Sequence, residues 1–358
     1  MKGNNDQVTM LHGAGGTVMH DLVKNYIVKY FKDIDNVDKA EVPLQALDDA
    51  AAIGDIVLKS DSHAVKPLFF PGGNIGHIAI SGTVNDIAAL GAEPYALACG
   101  VILEEGFALS DFEKILISMR KMCTQARVGI ITGDTKVVER GTLGGCVMNV
   151  SGIGRRTEAL ESNLKIVRQF QKDFSQRWLL DSNLRVGNKI ILSGTIGDHG
   201  IAILSAQQGL KFGSKIESDV RPLNILIQKL LGKIGGIVSI KDPTRGGLAE
   251  CLNEFSEKSK VGILIHEDKV PIREDVKAAC EMLGLDPLEI GNEGKIAIGV
   301  VEEKADQLLQ LLRSTNEGKN SEIIGEVTEE FNGVGMKTTV GGNRIIARPV
   351  GDPVPRIC

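Results

Sequence analysis

Five aspartates stand where a predicted strand ends or the chain turns, and together they suggest metal and phosphate chemistry. They are Asp48, Asp49, Asp61, Asp86 and Asp134. Mg²⁺ prefers oxygen ligands and usually shares its coordination shell with the phosphates of a nucleotide. Carboxylates that converge from separate loops therefore indicate a metal–nucleotide site. Taken singly, each aspartate is explained by the preference of Asp for turns and helix caps, so the prediction depends on their repetition.

A glycine-rich turn, HGAGG at 12–16, precedes a predicted helix over 17–31. Glycine lets backbone N–H groups approach phosphate oxygens, and a helix N-terminus favours negative charge. Gly15 and Gly16 are therefore candidate phosphate contacts, although a plain turn into a helix would have the same sequence. Two widespread nucleotide signatures, GxxxxGK[ST] and GxGxxG between a strand and a helix, do not occur in the chain.

Three further turns in the second half combine glycine with ionisable side chains: GDHG at 197–200, DPTRGG at 242–247 and GNEGK at 291–295. Arg245 is a candidate clamp for a phosphate or a carboxylate, and Glu293 is a candidate base, because both roles need charge on a rigid turn. Structural turns with surface charges remain the alternative for each of them.

The last residue, Cys358, ends a segment whose prolines at 353 and 355 exclude a helix. Fully extended, residues 341–358 would span roughly 50 to 60 Å, so we predict a flexible tail with a nucleophilic or carrier thiol at its end. The alternative is a frayed terminus. Prenylation fits poorly because its cysteine is fourth from the end, and a metal ligand would lack His or Cys neighbours in sequence.

Composition limits the class of protein. The 358 residues carry a formal charge of −5, and they lack a basic cluster with interleaved aromatics, so we expect no nucleic-acid partner. The six cysteines form no CxxC pair and no signal sequence is evident, which favours reduced thiols in the cytoplasm. No apolar run is long enough for a membrane span, so we expect no membrane partner.

The order of apolar runs predicts two α/β domains. Strand-like segments at 56–59 and 96–103 flank a helical stretch at 76–91, and the second half begins and closes with strand-like 189–193 and 295–301. The predicted boundaries are 1–154, an inserted or linking helix at 155–184, 185–340 and a tail at 341–358. Four residues at four-residue spacing would lie on one face of the linking helix: Ile166, Phe170, Phe174 and Trp178. That face would pack on its own protein or dock a partner.

Nine segments together resemble the HypE family of hydrogenase maturation factors over nearly the whole chain except 155–183. They are DDAA at 48–51, SDS at 60–62, FFPGG at 69–73, GTVND at 82–86, ILEEG at 102–106, TGDTK at 132–136, SGTIGDHG at 193–200, DPTRGG at 242–247 and PRIC at 355–358. The resemblance implies the two-domain α/β (α+β) fold of the aminoimidazole ribonucleotide synthetase, selenophosphate synthetase and thiamine-phosphate kinase superfamily. It also implies a homodimer formed through N-terminal strands.

The resemblance further implies an ATP site with Mg²⁺ in the first domain. The five aspartates would bind Mg²⁺ and phosphates, and the remaining nucleotide contacts would come from Gly15, Gly16, Asn85, Asp86, Asp134, Thr135 and Arg245. Two departures affect the transfer. Thr17 stands where many relatives have a basic residue, and the stretch that ends at Trp178 is longer than the usual linker.

The implied reaction explains the terminal thiol. The carbamoyltransferase HypF would load a carbamoyl group onto Cys358, and ATP would drive its dehydration to a thiocyanate, which supplies the cyanide ligands of [NiFe]-hydrogenase through a scaffold of HypC and HypD. Glu293 or His199 would remove a proton, and Lys136 would stabilise the developing charge. Two alternatives stay open: a related synthetase or kinase of the superfamily, and a thiol carrier that binds ATP without catalysis.

Overall fold

The computed structural model describes residues 7–34, 39–210 and 215–351. Cys358 and the prolines at 353 and 355 lie outside the described residues. In chain order, the α-helices are α1 Gly16–Leu22, α2 Lys29–Phe31, α3 Ile75–Ala89, α4 Leu109–Ala126, α5 Glu158–Phe170, α6 Asp198–Gln208, α7 Asn224–Lys233, α8 Gly247–Ser259, α9 Glu274–Leu283 and α10 Glu302–Arg313. A π-helical turn, Val23–Val28, joins α1 to α2, which confirms the predicted helical stretch over 17–31. No helix in the described ranges has the length and apolar composition of a membrane span.

The strands form two large sheets and one small hairpin. Their bounds are β1 Ala51–Ile53, β2 Ile56–His63, β3 Phe69–Phe70, β4 Gly73–Asn74, β5 Glu93–Glu104, β6 Ile130–Val138, β7 Cys146–Arg155, β8 Lys189–Leu192, β9 Ile237–Lys241, β10 Gly262–His266, β11 Ala297–Val300, β12 Glu322–Thr328, β13 Gly333–Lys337 and β14 Asn343–Ile345. The first sheet has the order β1-β2-β7-β5-β6, and the second has β14-β13-β10-β12-β8-β11-β9. The strand-like segments at 56–59, 96–103, 189–193 and 295–301 and the helical stretch at 76–91 all occur, with ends shifted by a few residues.

Helix α3 packs across the inner face of the first sheet. It begins where the Asn74 side chain accepts a hydrogen bond from the Gly76 N–H (2.9 Å), an ordinary N-cap. Fourteen of its fifteen residues are buried, as expected for a helix that is apolar all round. Gly154 on β7 permits the close approach, since a Cβ there would lie 2.3 Å from a methyl carbon of Ile87. The helix therefore holds Asp86, in its last turn, in a fixed position.

The outer face of the first sheet is exposed and partly apolar. Its exposed residues include Ile53, Ile56, Leu58, Tyr95 and Ile153. Strand β6 lies at the edge, and nearly all of its residues are exposed. Exposed strand edges and apolar sheet faces are surfaces that proteins normally cover.

The two halves of the chain share their apolar interior. Each of the two buried clusters contains residues from both halves, for example Ile87 with Ile298 in one and Met148 with Ile290 in the other. Shared burial of this kind fixes the two sheets relative to each other. The predicted boundaries at 154, 184 and 340 stay a prediction.

The linking segment differs from the predicted single helix. Helix α5 ends at Phe170, so Phe174 and Trp178 lie beyond it in a loop. Both are nevertheless buried, and the Trp178 Nε1–H donates to Glu41 (3.0 Å). The four-residue spacing was therefore misleading, because burial here comes from a loop that packs on its own protein.

The segment after β13 also differs from the predicted flexible tail. Strand β14 pairs with β13, Ile346 is buried, and Arg348 forms ion pairs with Glu250 (2.7 Å), Glu254 (3.4 Å) and Glu257 (2.8 Å) on α8. Residues 343–349 are thus anchored to the second half, and the prediction of a flexible tail fails for them.

Candidate active site

A cavity of about 500 Å³ lies where the two halves meet. The turn before β1, strand β2 and helix α3 form one side, while the turn after β9, helix α8 and Glu293 form the other. The turn before α1 closes its mouth. This volume is typical of a small-molecule site. Of the predicted residues, it brings together Gly15, Gly16, Asp48, Asp49, Asp61, Asp86, Arg245 and Glu293.

Three carboxylates in this cavity suit a divalent cation. One oxygen from each of Asp49, Asp86 and Asp242 lies within 4.8 Å of the others. The second oxygen of Asp49 is buried without a hydrogen-bond partner, which is costly unless a ligand or a proton satisfies it. An all-oxygen donor set of this charge fits Mg²⁺. Asp242, directly after β9, was not among the predicted metal ligands.

Two lysines neutralise these carboxylates. Lys59 lies 2.5 Å from Asp86, and Lys241 lies 2.5 Å from Asp49. Burial nevertheless raises the pKa of Asp49 to about 7 and the pKa of Asp86 well above its usual range. For Lys59, burial opposes the charge, but Asp86 and Asp61 overcome it and raise the pKa. The carboxylates of this cluster therefore favour bound protons and the lysine charges beside them, and they would also favour a bound metal cation.

A fully buried aspartate, Asp181, forms ion pairs with Lys241 and with a further lysine, Lys258. Asp181 accepts from Lys241 (3.1 Å) and from Lys258 (2.7 Å). The pair of lysines holds the pKa of Asp181 below its usual value despite burial. Burial and the Asp181 charge together raise the pKa of the neighbouring Asp48 to about 8. Asp181 does not line the cavity, and no motif around it distinguishes it in the sequence.

Glu293 and His63 are buried ionisable groups on the cavity wall. Burial, with Asp242 and Asp61, raises the pKa of Glu293 well above its usual range, and its Oε1 has no hydrogen-bond partner. Burial lowers the pKa of His63, although its Nε2 lies 3.5 Å from Asp61. A carboxyl whose pKa is raised and an imidazole whose pKa is lowered are candidate groups for proton exchange. His63 was not predicted from the sequence.

The glycine turn lies against the mouth of the cavity. Gly15 has φ +78°, and a Cβ there would lie 2.9 Å from Cβ of Arg245. Gly16 has φ +68°, and a Cβ there would lie 2.1 Å from the carbonyl oxygen of Pro349. The Thr17 N–H donates to that same oxygen (3.4 Å). Only glycine fits at both of these close contacts without strain. The turn therefore packs between Arg245 and the C-terminal segment.

Five of the predicted residues do not line this cavity. Asn85 binds backbone instead: its amide donates to the carbonyl of Arg221 (3.1 Å), and its oxygen accepts from the Leu223 N–H (2.8 Å). The His199 Nδ1 lies 2.7 Å from the Ser218 hydroxyl, and the ring is fully buried. The other three lie on the exposed strand β6: Asp134, Thr135 and Lys136. Their roles stay predictions.

Comparison with known proteins identifies the family to which the fold belongs. Residues 47–156 match the N-terminal domain model, and residues 185–337 the C-terminal domain model, of AIR synthase related proteins. The chain is 46% identical to a putative hydrogenase expression/formation protein of Methanocaldococcus jannaschii, over 98% of this chain and all of that one. It is 40% identical to carbamoyl dehydratase HypE of Azotobacter vinelandii, over 99% and 98% of the two chains.

Two solved structures are similar over most of their length. A crystal structure of a HypE–HypF complex matches with TM-score 0.81 and 42% identity, covering 92% of this chain and 99% of that one. A crystal structure of hydrogenase maturation protein HypE in complex with ATP matches with TM-score 0.77 and 37% identity, covering 98% and 100%. The two-domain fold is therefore that of the AIR synthase related proteins. Within that class, the chain belongs to the HypE family of hydrogenase maturation proteins.

Proposed function

We propose that this protein uses ATP to dehydrate an S-carbamoyl group on Cys358 to a thiocyanate, which supplies cyanide for the iron of [NiFe]-hydrogenase. The observation that carries the proposal is the cavity in which Asp49, Asp86 and Asp242 converge. Relatives of 40% identity are named carbamoyl dehydratase, and a relative of known structure binds ATP.

The chemistry balances without a redox partner. The amide oxygen of the carbamoyl group attacks the γ-phosphorus of ATP, so an O–P bond forms and the bond to ADP breaks. The carbon–oxygen bond then breaks, phosphate leaves, and the nitrogen loses both protons: one stays on the phosphate, and the other passes to a base on the cavity wall and then to water. Cys358 is left as S–C≡N. An amide oxygen is a poor leaving group until it is phosphorylated, which is why ATP is needed.

The chain's own residues supply binding and charge. Asp49, Asp86 and Asp242 would hold Mg²⁺, which would neutralise phosphate charge when bound. Lys59 and Lys241 already lie on two of those carboxylates, so the ion pairs keep the site organised before nucleotide enters. Arg245 lines the cavity beside the glycine turn, a position suited to a phosphate or to the carboxylate of the chain terminus.

Glu293 is the best-placed group for proton exchange with the carbamoyl nitrogen. Its unpartnered oxygen is buried on the cavity wall, and burial raises its pKa well above the usual range, so that the carboxyl holds a proton more tightly than an exposed glutamate does. His63 is a second candidate, since its neutral ring has a lone pair to accept a proton. Lys136 and His199 do not line the cavity of their own chain, which makes them weaker candidates in this arrangement.

The segment that leads to Cys358 passes the mouth of the same cavity. Pro349 contacts the glycine turn through the Thr17 N–H, and Arg348 is paired with Glu250 and Glu254, which line the cavity. This placement favours delivery of the terminal thiol to the site that binds ATP, rather than a separate carrier function.

A second copy of the chain would cover the exposed face of the first sheet. The apolar side chains on that face and the bare edge at β6 support a homodimer formed there. Such a dimer would bring Asp134, Thr135 and Lys136 to its interface. HypF is the proposed source of the carbamoyl group, because a relative of 42% identity forms a complex with it. Transfer of the product to HypC and HypD, and a cytoplasmic location, also stay proposals.

The test is C-terminal peptide mass spectrometry after Cys358 has been carbamoylated by the partner transferase. The wild type should lose one water at Cys358 only when Mg²⁺ and ATP are added. Asp242→Asn should keep the carbamoyl group, and the control Asp268→Asn, an exposed aspartate outside the cavity, should behave as the wild type. An unchanged adduct in the wild type with ATP bound would favour the carrier or a sister enzyme, and normal dehydration by Asp242→Asn would refute the metal site.

A further inference from the structure

A second cavity, of about 710 Å³, lies away from the first. It is bounded by the end of α4, the start of α7 and the turn after α10. Among the described residues, the two cavities share no lining residue. Its volume is within the range of small-molecule sites, and nothing in the proposed reaction uses it.

The lining of the second cavity is strongly basic. Lys121, Arg127, Arg221 and Lys229 line it, and Glu317 is the only carboxylate among the described residues of the lining. Within the described ranges, no carboxylate lies at ion-pair distance from any of the four cations. In a chain whose net charge is −5, four unpaired cations around one concave surface create a local positive potential that attracts anions.

Backbone hydrogen bonds fix the main chain of Arg127 and the side chain of Arg221. Arg127 follows α4 with φ 55°, and its N–H closes the helix end by donating to Cys123 and Thr124. Arg221 donates from Nε to the carbonyl of Asp219 (3.1 Å), while its own carbonyl accepts from Asn85 (3.1 Å). A guanidinium that is already hydrogen-bonded, as that of Arg221 is, loses little freedom when it binds an oxyanion.

Neutral groups complete the lining. His77 accepts from the Asn74 N–H through Nδ1 (3.2 Å), so its ring offers Nε2–H as a donor. The side-chain amides of Gln125 and Asn316 are further donors, and Pro222 and Ile225 supply apolar surface. Donors and cations of this kind bind phosphate oxygens, and the apolar part fits an organic group.

We propose that the second cavity binds a small molecule that carries a phosphate or diphosphate group, separately from the ATP cavity. The charge arrangement alone selects for the anion, and the volume excludes a large ligand. The proposal does not depend on the dehydratase activity.

Equilibrium dialysis with labelled inorganic pyrophosphate tests this proposal. The full-length protein is first saturated with Mg²⁺ and β,γ-methylene-ATP, so that the ATP cavity is filled. We expect saturable binding that Lys121→Glu/Lys229→Glu weakens by at least about tenfold, because two charge-assisted contacts are reversed. The control Lys172→Glu/Lys269→Glu changes net charge equally at exposed positions outside both cavities, and it should bind as the wild type.

A measurement on the wild type alone guards against a misfolded variant. Pyrophosphate should slow the acetylation of Lys121 and Lys229 severalfold and leave Lys172 and Lys269 unchanged. Absence of saturable binding, or equal loss in the test and control variants, would overturn the proposal. Binding of an oligoglutamate peptide without binding of pyrophosphate would also overturn it and would point to an acidic protein segment.

Discussion

Replacement of Asp181 by Asn should destabilise the protein strongly, although Asp181 does not line the cavity. The carboxylate is fully buried between Lys258 at 2.7 Å and Lys241 at 3.1 Å. At an effective dielectric constant of about 20, Coulomb's law gives about 6 and about 5 kcal/mol for these two pairs. Desolvation of the carboxylate offsets several kcal/mol of that sum. We therefore expect a loss of about 3 to 5 kcal/mol in the free energy of unfolding, as for other buried charges that lose a partner.

Urea denaturation followed by the fluorescence of Trp178, the only tryptophan, measures this loss. Trp178 is buried, and its carbonyl accepts from Asn183 (2.9 Å) in the turn that contains Asp181. The control is Asp173→Asn, which removes an ion pair between Arg185 and a largely exposed carboxylate and should change the free energy of unfolding far less, because solvent screens this pair.

Two results would refute the reasoning. The first is a loss for Asp181→Asn no larger than that for Asp173→Asn. The second concerns the double variant Asp181→Asn/Lys258→Met, which removes the lysine left without its carboxylate. If that variant recovers none of the loss, the cost does not come from an uncompensated buried charge.

Two further outcomes are expected. Because burial raises the pKa of Asp49 to about 7, protons compete with Mg²⁺ below that pH. Calorimetry should therefore show an affinity for Mg²⁺ that rises from about pH 6 to 8, with release of protons on binding. An affinity that does not change with pH would contradict the metal assignment. Gly16→Ala should slow single-turnover phosphate release by about tenfold or more, because the added Cβ would collide with the carbonyl of Pro349. The control is Gly13→Ala, because position 13 has open space around it. Equal rates for the two variants would contradict a role for the contact between Gly16 and Pro349.

Much of the fold was predictable because its signals are local. The apolar runs of β2, β5 and β8 and the helical stretch of α3 follow from periodicity. The apolar spacing through Trp178 failed because helix α5 ends at Phe170 and burial of the loop imitates a helix face. The predicted flexible tail failed over 343–349 because Arg348 finds three carboxylates on α8, a contact between residues about 90 positions apart.

The site was predictable where glycine or aspartate stood out in the sequence, although Asp86 lies in helix α3 and Asp61 lies within strand β2 rather than at a turn or strand end. Asp49, Asp86, Arg245 and Glu293 reach the cavity as expected. His63 and Asp181 were missed because their shifted pKa values and their charged contacts depend on burial, and no short sequence motif reveals burial. Asp242 was visible in the DPTRGG segment, and its position directly after a predicted strand was the available signal.

The anchoring of Pro349 and Gly351 sets how far Cys358 can travel. Gly351 lies against Leu11, and Cys358 is seven residues further along the chain. At about 3.5 Å per residue, the thiol stays within roughly 25 Å of that anchor. A reactant confined to so small a volume has an effective concentration in the millimolar range or above. A free peptide that ends in PRIC would have to reach that concentration to compete with the tethered thiol for the cavity. Any enzyme that loads the thiol must approach this same side of the molecule.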